Sequence, residues 1–186
     1  DTLPACPVGA FTATATAQVR QDVVQLLGLR QPVTVSTGFD RSNLYFEVRR
    51  PAHKWEELRK LLQPRRDVTG IVYCSTRSQV DDVAGRLKQA GFSAAAYHAG
   101  MEAQYRRQAQ EKFSRDEVRV MVATNAFGMG IDKSNIRYVI HYNMPGDLES
   151  YYQEAGRAGR DGGEADCILL FGQSDVMTQR ILLSKD

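Results

Sequence analysis

The sequence predicts an α/β fold: a three-layer arrangement in which a parallel β-sheet is flanked by helices on both faces. Strand-like and helix-like segments alternate along most of the chain, and the connections between them are short. Several strand-like segments, such as 70–74, are unbroken apolar runs typical of strands that are buried on both faces. Alternation of this kind is typical of strand–helix–strand units, so a parallel sheet is expected.

The predicted elements follow in a regular order. The predicted strands are 33–35, 44–48, 70–74, 94–97, 118–123, 138–142 and 167–171, and the predicted helices are 54–62, 78–89, 102–113, 147–157 and 173–183. The helix at 78–89 is well marked, because Val80, Val83 and Leu87 recur at helical spacing and Gly91 follows as a stop signal.

Composition sets the scale of the molecule. The 186 residues are 42% hydrophobic and 25% charged, which suits one globular domain with its own core and an attached segment. The turn-rich stretch 36–42 is predicted to be a linker, so we expect a leading segment at 1–38 and a main domain at 39–186. The chain begins with Asp1 rather than Met, which indicates part of a longer protein, and its start does not resemble a signal peptide.

Charge and cysteine content bear on the partners, the metal sites and the cellular compartment expected for this protein. The net charge of +2 neither indicates nor excludes a nucleic-acid partner, because a basic groove can lie on a nearly neutral domain. Cys6, Cys74 and Cys167 form no CxxC pair, so neither a disulfide framework nor a metal site is predicted, and a reducing cytoplasm is expected. Cys74 and Cys167 lie in apolar runs, where buried small hydrophobes are expected.

The segment QEAGRAGRDG at 153–162 is the most informative polar stretch. Gln153, Arg157 and Arg160 are spaced i, i+4 and i+7, so they share one face if the helix persists. Guanidinium groups grip phosphate oxygens in pairs, which makes a polyanion site one hypothesis; a solvated, charged helix end is the other. Gly156 and Gly159 weaken a helix, which suggests that something approaches this backbone closely.

A second polar loop follows the strand at 118–123. It contains the hydroxyl of Thr124, the glycines Gly128 and Gly130, and the carboxylate of Asp132. Glycines free backbone amides to face an anion, and Asp132 can bond a ribose hydroxyl. A plain strand-to-helix turn stays open as the alternative, and the glycine spacing does not match a dinucleotide-binding fingerprint.

Two further loops follow predicted strands. Ser75, Thr76 and Arg77 offer two hydroxyls and a cation, which suit either phosphate contacts or the start of the next helix. His98 and Met101 lie in the loop after 94–97. A lone histidine is more often structural than a ligand, and the sequence places no partner carboxylate or cysteine near His98 to suggest a metal.

Together these segments resemble the motif series of superfamily 2 helicases, and specifically that of the RecQ family. TATAT at 12–16 resembles motif III, which closes the first RecA-like lobe, and FDRSNL at 39–44 resembles the beginning of the second lobe in RecQ enzymes, with Ser42 replacing the usual Pro. The stretches that resemble motif IV, the RecQ YHAG segment, motif V and motif VI are 71–77, 97–101, 122–133 and 151–162. DEAD-box proteins would show a motif VI that begins with His-Arg.

The resemblance implies that residues 39–186 are a second RecA-like lobe of the P-loop NTPase type and that 1–38 end the first lobe. It implies a 3′-to-5′ ATP-dependent DNA helicase that unwinds duplex DNA in recombination and repair. The expected partners are single-stranded and duplex DNA and the first helicase lobe of the same protein, with no membrane. The expected location is the cytoplasm, at the nucleoid in a bacterium, or the nucleus in a eukaryote.

The resemblance also implies roles for individual residues. Arg160 would be the arginine finger that reaches the γ-phosphate of ATP, and Arg157 would support it. The residues that face the nucleotide would be Gly130, Asp132 and Gln153. The residues along single-stranded DNA would be Ser75, Thr76, Arg77 and Thr124, with His98 and Met101 as further candidates.

Several features of a complete motor are absent from the sequence. It contains no GxxxxGK[ST] loop and no DExH box, so ATP and Mg²⁺ are expected to bind mainly on the first lobe, and this chain alone is expected to be inactive. The zinc-binding cysteines of the family are also absent, so no zinc is expected here. Two alternatives stay open: an RNA helicase or translocase lobe of the same superfamily, or a non-enzymatic α/β binding module whose arginines bind an acidic partner.

Overall fold

The computed structural model describes residues 6–12, 17–35, 41–128 and 133–183. The chain divides into two compact units, Asp1–Asp40 and Arg41–Asp186. In the first unit, helix α1 spans Ala17–Leu26 and buries none of its residues. Helix α1 is not among the elements predicted from the sequence.

The strand predicted at 33–35 is wrong. These residues adopt no regular structure, and the side chains of Val33 and Val35 are 91% and 82% exposed. A short β-branched run has strand propensity, but it becomes a strand only when another strand accepts its backbone hydrogen bonds.

The second unit alternates strands and helices as predicted. Its strands are β1 (Leu44–Arg49), β2 (Thr69–Tyr73), β3 (Ala94–Tyr97), β4 (Val120–Ala123), β5 (Ile136–His141) and β6 (Ala165–Leu170). Its helices are α2 (Lys54–Leu62), which runs into a short 3-10 turn at Gln63–Arg65, α3 (Arg77–Gln89), α4 (Ala103–Ser114), α5 (Leu148–Ala155) and α6 (Gln173–Leu183).

The six strands form one sheet in the order β1-β6-β5-β2-β4-β3. Every neighbouring pair is parallel. The predicted α/β class is therefore confirmed. Parallel order also means that all strands end at one edge of the sheet, the carboxyl edge, and all begin at the opposite amino edge.

Successive residues of the central strands supply two cores on opposite faces of the sheet. Val72 of β2 packs in the cluster that contains apolar side chains of α2 and α3. Ile71 and Tyr73 point to the other face, into a cluster with Phe113 of α4 and Ala155 of α5. Each core is completely shielded from water at its centre, where removal of a large side chain such as Phe113 costs about 3–5 kcal/mol.

The predictions for the cysteines of the sheet are confirmed. Cys74 and Cys167 are buried and unpaired as thiols, and burial raises the pKa of each to about 12. Both thiols therefore stay protonated and act as small packing groups. Among the described residues, none of the helices has the length and apolar character to cross a membrane.

Candidate functional site

The predicted site residues fall into two groups at opposite edges of the sheet. Ser75, Thr76, His98, Met101 and Thr124 follow β2, β3 and β4 and lie at the carboxyl edge. The turn that carries Arg157 and Arg160, residues 156–163, lies at the amino edge, just before β6 begins. At about 3.3 Å per residue, strands of four to six residues separate the edges by roughly 13–20 Å.

Helix α5 is shorter than predicted. It begins after Asp147, whose Oδ1 accepts a hydrogen bond of 2.7 Å from the Ser150 backbone amide, and it ends at Ala155 with Gly156 as the cap. The expectation that Gln153, Arg157 and Arg160 share one helical face is therefore wrong. The helix ends at the cap residue Gly156, and the chain then folds into turns. In these turns Gly159 adopts a φ of +55°, which glycine tolerates best.

Arg157 is half-buried and points toward the loop after β4. Its Nη1 donates a 2.7 Å hydrogen bond to the carbonyl of Gly128, and its buried Nε has no partner within the described part of the chain. A Cβ on Gly128 would lie 2.1 Å from Arg157 Nη2, so the guanidinium fills the space that glycine leaves. The space beside Gly128 is thus filled by a guanidinium of the protein itself.

The loop that contains Gly128 is also held in place by aromatic packing and by a hydrogen bond. Phe127 is fully buried and packs edge-on against Tyr97 and Phe113, with ring centroids 4.8 and 5.7 Å away. The Tyr73 hydroxyl donates a 3.0 Å hydrogen bond to the Phe127 carbonyl. The backbone at 127–128 is therefore held by contacts with both the sheet and the turn that carries Arg157.

Arg160 lies on the turn with its side chain exposed to solvent. The next residue, Asp161, forms an ion pair with Arg137 of β5 and accepts a 3.0 Å hydrogen bond from the Gly163 amide. The Arg137 hydrogen bond, followed by the Gly163 amide, lowers the pKa of the Asp161 carboxyl. Arg160 thus projects from a turn whose neighbouring residue is tied to the sheet.

Two side chains that the sequence analysis did not single out hold this turn. Arg41 Nη2 donates to the carbonyls of Ala158 and Gly159 at 3.0 and 2.8 Å. Asn43 Nδ2 donates to the carbonyls of Gly159 and Gly163 at 2.9 and 2.8 Å. Arg41 belongs to the stretch predicted to be a linker, so its role was visible only in the tertiary structure.

At the carboxyl edge, the loop after β2 forms the beginning of α3. Thr76 is the N-cap, and its Oγ1 accepts a 3.3 Å hydrogen bond from the Gln79 amide. The Ser75 amide donates to Asn143 Oδ1 at 3.2 Å. Arg77 is the first residue of α3 and is exposed, so its guanidinium is accessible to a ligand beyond the sheet.

The loop after β3 lies beside Arg77. A Cβ on Gly100 would lie 3.1 Å from Arg77 Cδ and 3.2 Å from His98 Nδ1, so the absence of a side chain lets these groups converge. His98 is buried, and its Nε2 lies 3.1 Å from Asp81 Oδ1 of α3. The expectation that no carboxylate lies near His98 is therefore wrong, because Asp81 reaches it from another element. Met101 is half-buried and donates its amide to the His98 carbonyl at 3.1 Å.

Thr124 ends this group at the carboxyl end of β4. The residue is buried, its amide donates to the Tyr97 carbonyl at 3.2 Å, and its Oγ1 accepts from the Ala126 amide at 3.4 Å. The hydroxyl therefore shapes the start of the loop, which brings it next to the loop after β3. Arg77, Gly100 and Thr124 follow three strands that are neighbours in the sheet.

Gln153 and its neighbour differ sharply in environment. Gln153 is exposed on α5, and its Nε2 donates to Glu149 Oε1 at 3.1 Å. Glu154 is buried, and its Oε2 lies 2.8 Å from His141 Nε2 at the end of β5. His141 also stacks on Tyr73, with ring centroids 5.4 Å apart. This pair is not predictable from the sequence, because nothing in the chain order brings the two residues together.

Two predicted nucleotide-facing residues, Gly130 and Asp132, lie outside the described residues. Of the TATAT stretch, only Thr12 is described, and of FDRSNL, Phe39 and Asp40 are not. Across the described part of the chain, no group of three or more His, Cys, Asp or Glu side chains is arranged to hold a metal ion.

Comparison with known proteins places the chain among helicases. Residues 53–162 match the helicase conserved C-terminal domain family. The chain is 49% identical over 176 residues to the ATP-dependent DNA helicase RecQ of Bacillus subtilis, covering 95% of this chain and 30% of the relative. It is 44% identical over 183 residues to the ATP-dependent DNA helicase RecQ of Pasteurella multocida, covering 98% of this chain and 29% of the relative.

The chain thus spans about three tenths of the length of each of these two relatives. Among solved structures, it resembles a DEAD box protein from the hyperthermophile Methanococcus jannaschii with a TM-score of 0.64 and 26% identity. That match covers 78% of this chain and 40% of the other. This likeness in fold agrees with the predicted α/β class.

Proposed function

We propose that the chain is the C-terminal motor lobe of an ATP-dependent DNA helicase. The chain belongs to the helicase conserved C-terminal domain family and is a RecQ-type member of it, and the proposal rests on that membership. Within this lobe the amino-edge turn would act on ATP and the carboxyl-edge loops would hold DNA. ATP and DNA are what the names of the RecQ relatives specify for those proteins. RecQ relatives match at 44–49% identity, which favours DNA over RNA as the substrate.

The observation that carries the proposal is the hydrogen bond of 2.7 Å from Arg157 Nη1 to the Gly128 carbonyl. Gly128 belongs to the loop that begins with Thr124 at the carboxyl edge, whereas Arg157 belongs to the turn that presents Arg160 at the amino edge. A motor must couple the state of its nucleotide to its grip on the nucleic acid. This contact is a direct physical link between the two groups.

At the amino edge, Arg160 would supply the positive charge that stabilises the γ-phosphoryl group as it leaves ATP. Its exposure suits a group that reaches a ligand held by another lobe, and Arg157, held by Gly128, would support the turn. Such a finger contributes about 10³–10⁵ in rate in comparable phosphoryl-transfer enzymes. Gly130, Asp132 and Gln153 are proposed to face the nucleotide, and Mg²⁺ would be held by the first lobe.

At the carboxyl edge, Ser75, Thr76, Arg77 and Thr124 would contact the phosphates of single-stranded DNA. Three loops converge here and offer hydroxyls, backbone amides and the exposed cation of Arg77. His98 and Met101 would shape the loop beside Arg77 rather than bind DNA through their side chains, because His98 is buried against Asp81. Contacts of this type hold the backbone without reading the bases.

We further propose that the intact protein moves 3′ to 5′ and acts in recombination and repair. The test is an unwinding assay of the intact protein on partial duplexes with a 3′ or a 5′ single-stranded tail, in DNA and in RNA. ATP-dependent unwinding of the 3′-tailed DNA supports the proposal. Preference for RNA duplexes would favour an RNA-remodelling enzyme of the same superfamily, and no ATP-dependent activity on any duplex would favour a binding module.

A further inference from the structure

The turn before β6 receives a set of side-chain hydrogen bonds from the beginning of the second unit. Arg41 and Asn43, which we call the carbonyl clamp, donate to the carbonyls of Ala158, Gly159 and Gly163 over distances of 2.8–3.0 Å. Arg41 Nε also donates to Asn43 Oδ1 at 3.3 Å, so the two side chains brace each other. These carbonyls lie in the turn beyond Ala155, the last residue of α5, and the clamp supplies side-chain donors to them.

The clamp acts on the peptide group next to the proposed finger. The carbonyl of Gly159 belongs to the peptide bond that leads into Arg160, and it accepts from both Arg41 and Asn43. The amide of Gly159 donates to the Ile136 carbonyl of β5 at 2.8 Å. Both peptide groups of Gly159 are thus fixed, which sets the direction in which the chain enters Arg160.

The clamp also explains why residue 159 is glycine. Its φ is +55°, and a Cβ there would lie 2.5 Å from both Asn43 Nδ2 and the Gly163 carbonyl oxygen. Gly162 of the same turn has a φ of +82° and open space around the position of a Cβ. The two glycines therefore share a left-handed backbone, but only Gly159 is in contact with the clamp.

The chemistry of the clamp indicates that it holds the turn in one position. Within the described part of the chain, the Arg41 guanidinium has no carboxylate partner, and its charge is directed at the carbonyls that follow α5. A planar guanidinium can donate to two such carbonyls at once and so hold them in one geometry. Catalytic groups need placement to within about 0.5 Å, which a free surface turn does not provide.

We propose that Arg41 and Asn43 are positioning residues for Arg160: they hold the turn so that the guanidinium of Arg160 is directed at the nucleotide. This inference rests on the finger role of Arg160 in the proposed function. Because Arg41 and Asn43 donate to carbonyls of the turn, their expected effect is on the rate of the chemical step and not on ATP or DNA affinity.

The experiment measures DNA-stimulated ATP hydrolysis by the intact protein with Arg41→Gln and Asn43→Ala. A misplaced finger should lower kcat about tenfold to a hundredfold, while KM for ATP and the Kd for single-stranded DNA stay within about twofold. Arg41→Lys keeps one charged donor and should restore part of kcat. The matched control is Arg65→Gln, which removes the 3.1 Å bond from Arg65 Nε to Asp166 of β6 and should leave kcat unchanged.

A double mutant separates positioning from general destabilisation. If Arg41 acts through Arg160, adding Arg41→Gln to Arg160→Ala lowers kcat no further, because the group being positioned is already gone. Gly159→Ala should lower kcat as the clamp variants do, whereas Gly162→Ala should have a much smaller effect, since only position 159 meets the clamp.

The outcomes are distinguishable. Normal kcat in folded Arg41→Gln and Asn43→Ala, or an equal fall in Arg65→Gln, would overturn the clamp. A further loss in the double mutant would also overturn it. Full turnover by Arg160→Ala would instead overturn the finger role and the clamp together, whereas an inactive Arg160→Ala with an active Arg41→Gln would overturn the clamp alone.

Discussion

The two edges of the sheet build their sites in different ways. At the carboxyl edge, the two threonine hydroxyls act locally: Thr76 accepts a hydrogen bond from the amide of Gln79, and Thr124 accepts one from the amide of Ala126. At the amino edge, the turn around Arg160 is held by Arg41 and Asn43, more than 110 residues earlier in the chain.

The difference has a mechanical meaning. A loop shaped by its own hydroxyls can adjust to a flexible DNA backbone while its helix stays capped. A turn held by distant side chains and by the sheet keeps one geometry, which suits charge stabilisation of a transition state. Arg157 joins the two regions through its hydrogen bond to Gly128, so a structural change at one edge can alter the geometry of the other.

The largest expected effect tests the amino edge directly. In the intact protein, Arg160→Ala should lower kcat for ATP hydrolysis by about 10³ or more, because a finger acts on charge that develops in the transition state. ATP and DNA binding should remain close to those of the wild type. Steady-state hydrolysis and equilibrium binding of both ligands measure this, with Arg115→Ala, an exposed arginine after α4, as the control. Normal turnover would assign the role to another residue.

The second prediction concerns the link between the edges. Gly128→Ala places a Cβ 2.1 Å from Arg157 Nη2 and displaces the guanidinium, which is the mobile end of a long side chain. Stability should change little, but kcat should fall about tenfold as the turn loses its support. DNA stimulation of hydrolysis should fall with it.

The control for that substitution is Gly85→Ala in α3, where no atom lies within 4 Å of the position of a Cβ. Replacing this helical glycine should raise the free energy of unfolding by about 0.5–1 kcal/mol and leave hydrolysis unchanged. If Gly128→Ala behaves in the same way as Gly85→Ala, the Arg157 contact does not couple the two edges.

A smaller effect is expected at the carboxyl edge. Arg77→Ala should weaken single-stranded DNA binding by a similar factor on any sequence and reduce the slope of log affinity against log salt by up to about one unit. Thr124→Val removes a neutral hydroxyl, so affinity should fall with little change of slope. The measurement is a salt titration of the intact protein on two unrelated oligonucleotides. A loss on only one oligonucleotide would mean base recognition, and no loss in either variant would place the DNA elsewhere.

The smallest effect concerns acid stability at the amino edge. Hydrogen bonds from Thr69 and then Lys133 lower the pKa of Asp116, and Lys133 Nζ lies 2.9 Å from its Oδ1. A lowered folded-state pKa stabilises the protein above the ordinary carboxyl pKa of about 3.9, and this contribution is lost as pH falls through the lowered value. Because Asp116 is 35% exposed, Asp116→Asn should cost roughly 1 kcal/mol or less near neutrality.

Urea unfolding of this chain at a series of pH values from neutral to acid tests whether the stabilisation by Asp116 is lost as the pH falls. The free energy of unfolding of Asp116→Asn should approach that of the wild type as the pH falls. Asp67→Asn, at an exposed position, is the control and should follow the wild type throughout. A constant difference between Asp116→Asn and wild type at every pH would show that the charge of Asp116 is not the stabilising feature.

Local sequence patterns were sufficient for much of this protein. Alternating apolar strands and helices predict the parallel sheet because burial of both faces gives central strands a continuous apolar sequence, and β2 and β4 are buried along their whole length. The beginnings of α3 and α5 were also predictable, since Thr76 and Asp147 each bond an amide three residues ahead. Such contacts span a few residues, so the chain order contains them.

The amino-edge site depends on contacts that chain order does not contain. Sequence spacing predicted one helical face for Arg157 and Arg160, but α5 ends at Ala155, and the Gly159 amide bonds the Ile136 carbonyl of β5 instead of the Ala155 carbonyl. The turn that follows is held by Arg41 and Asn43. Only the packing of β1 beside β6 brings those two side chains to the turn. The residue types were present in the sequence from the beginning, but their partners were decided by the tertiary structure, because a hydrogen bond forms between groups that are close in space.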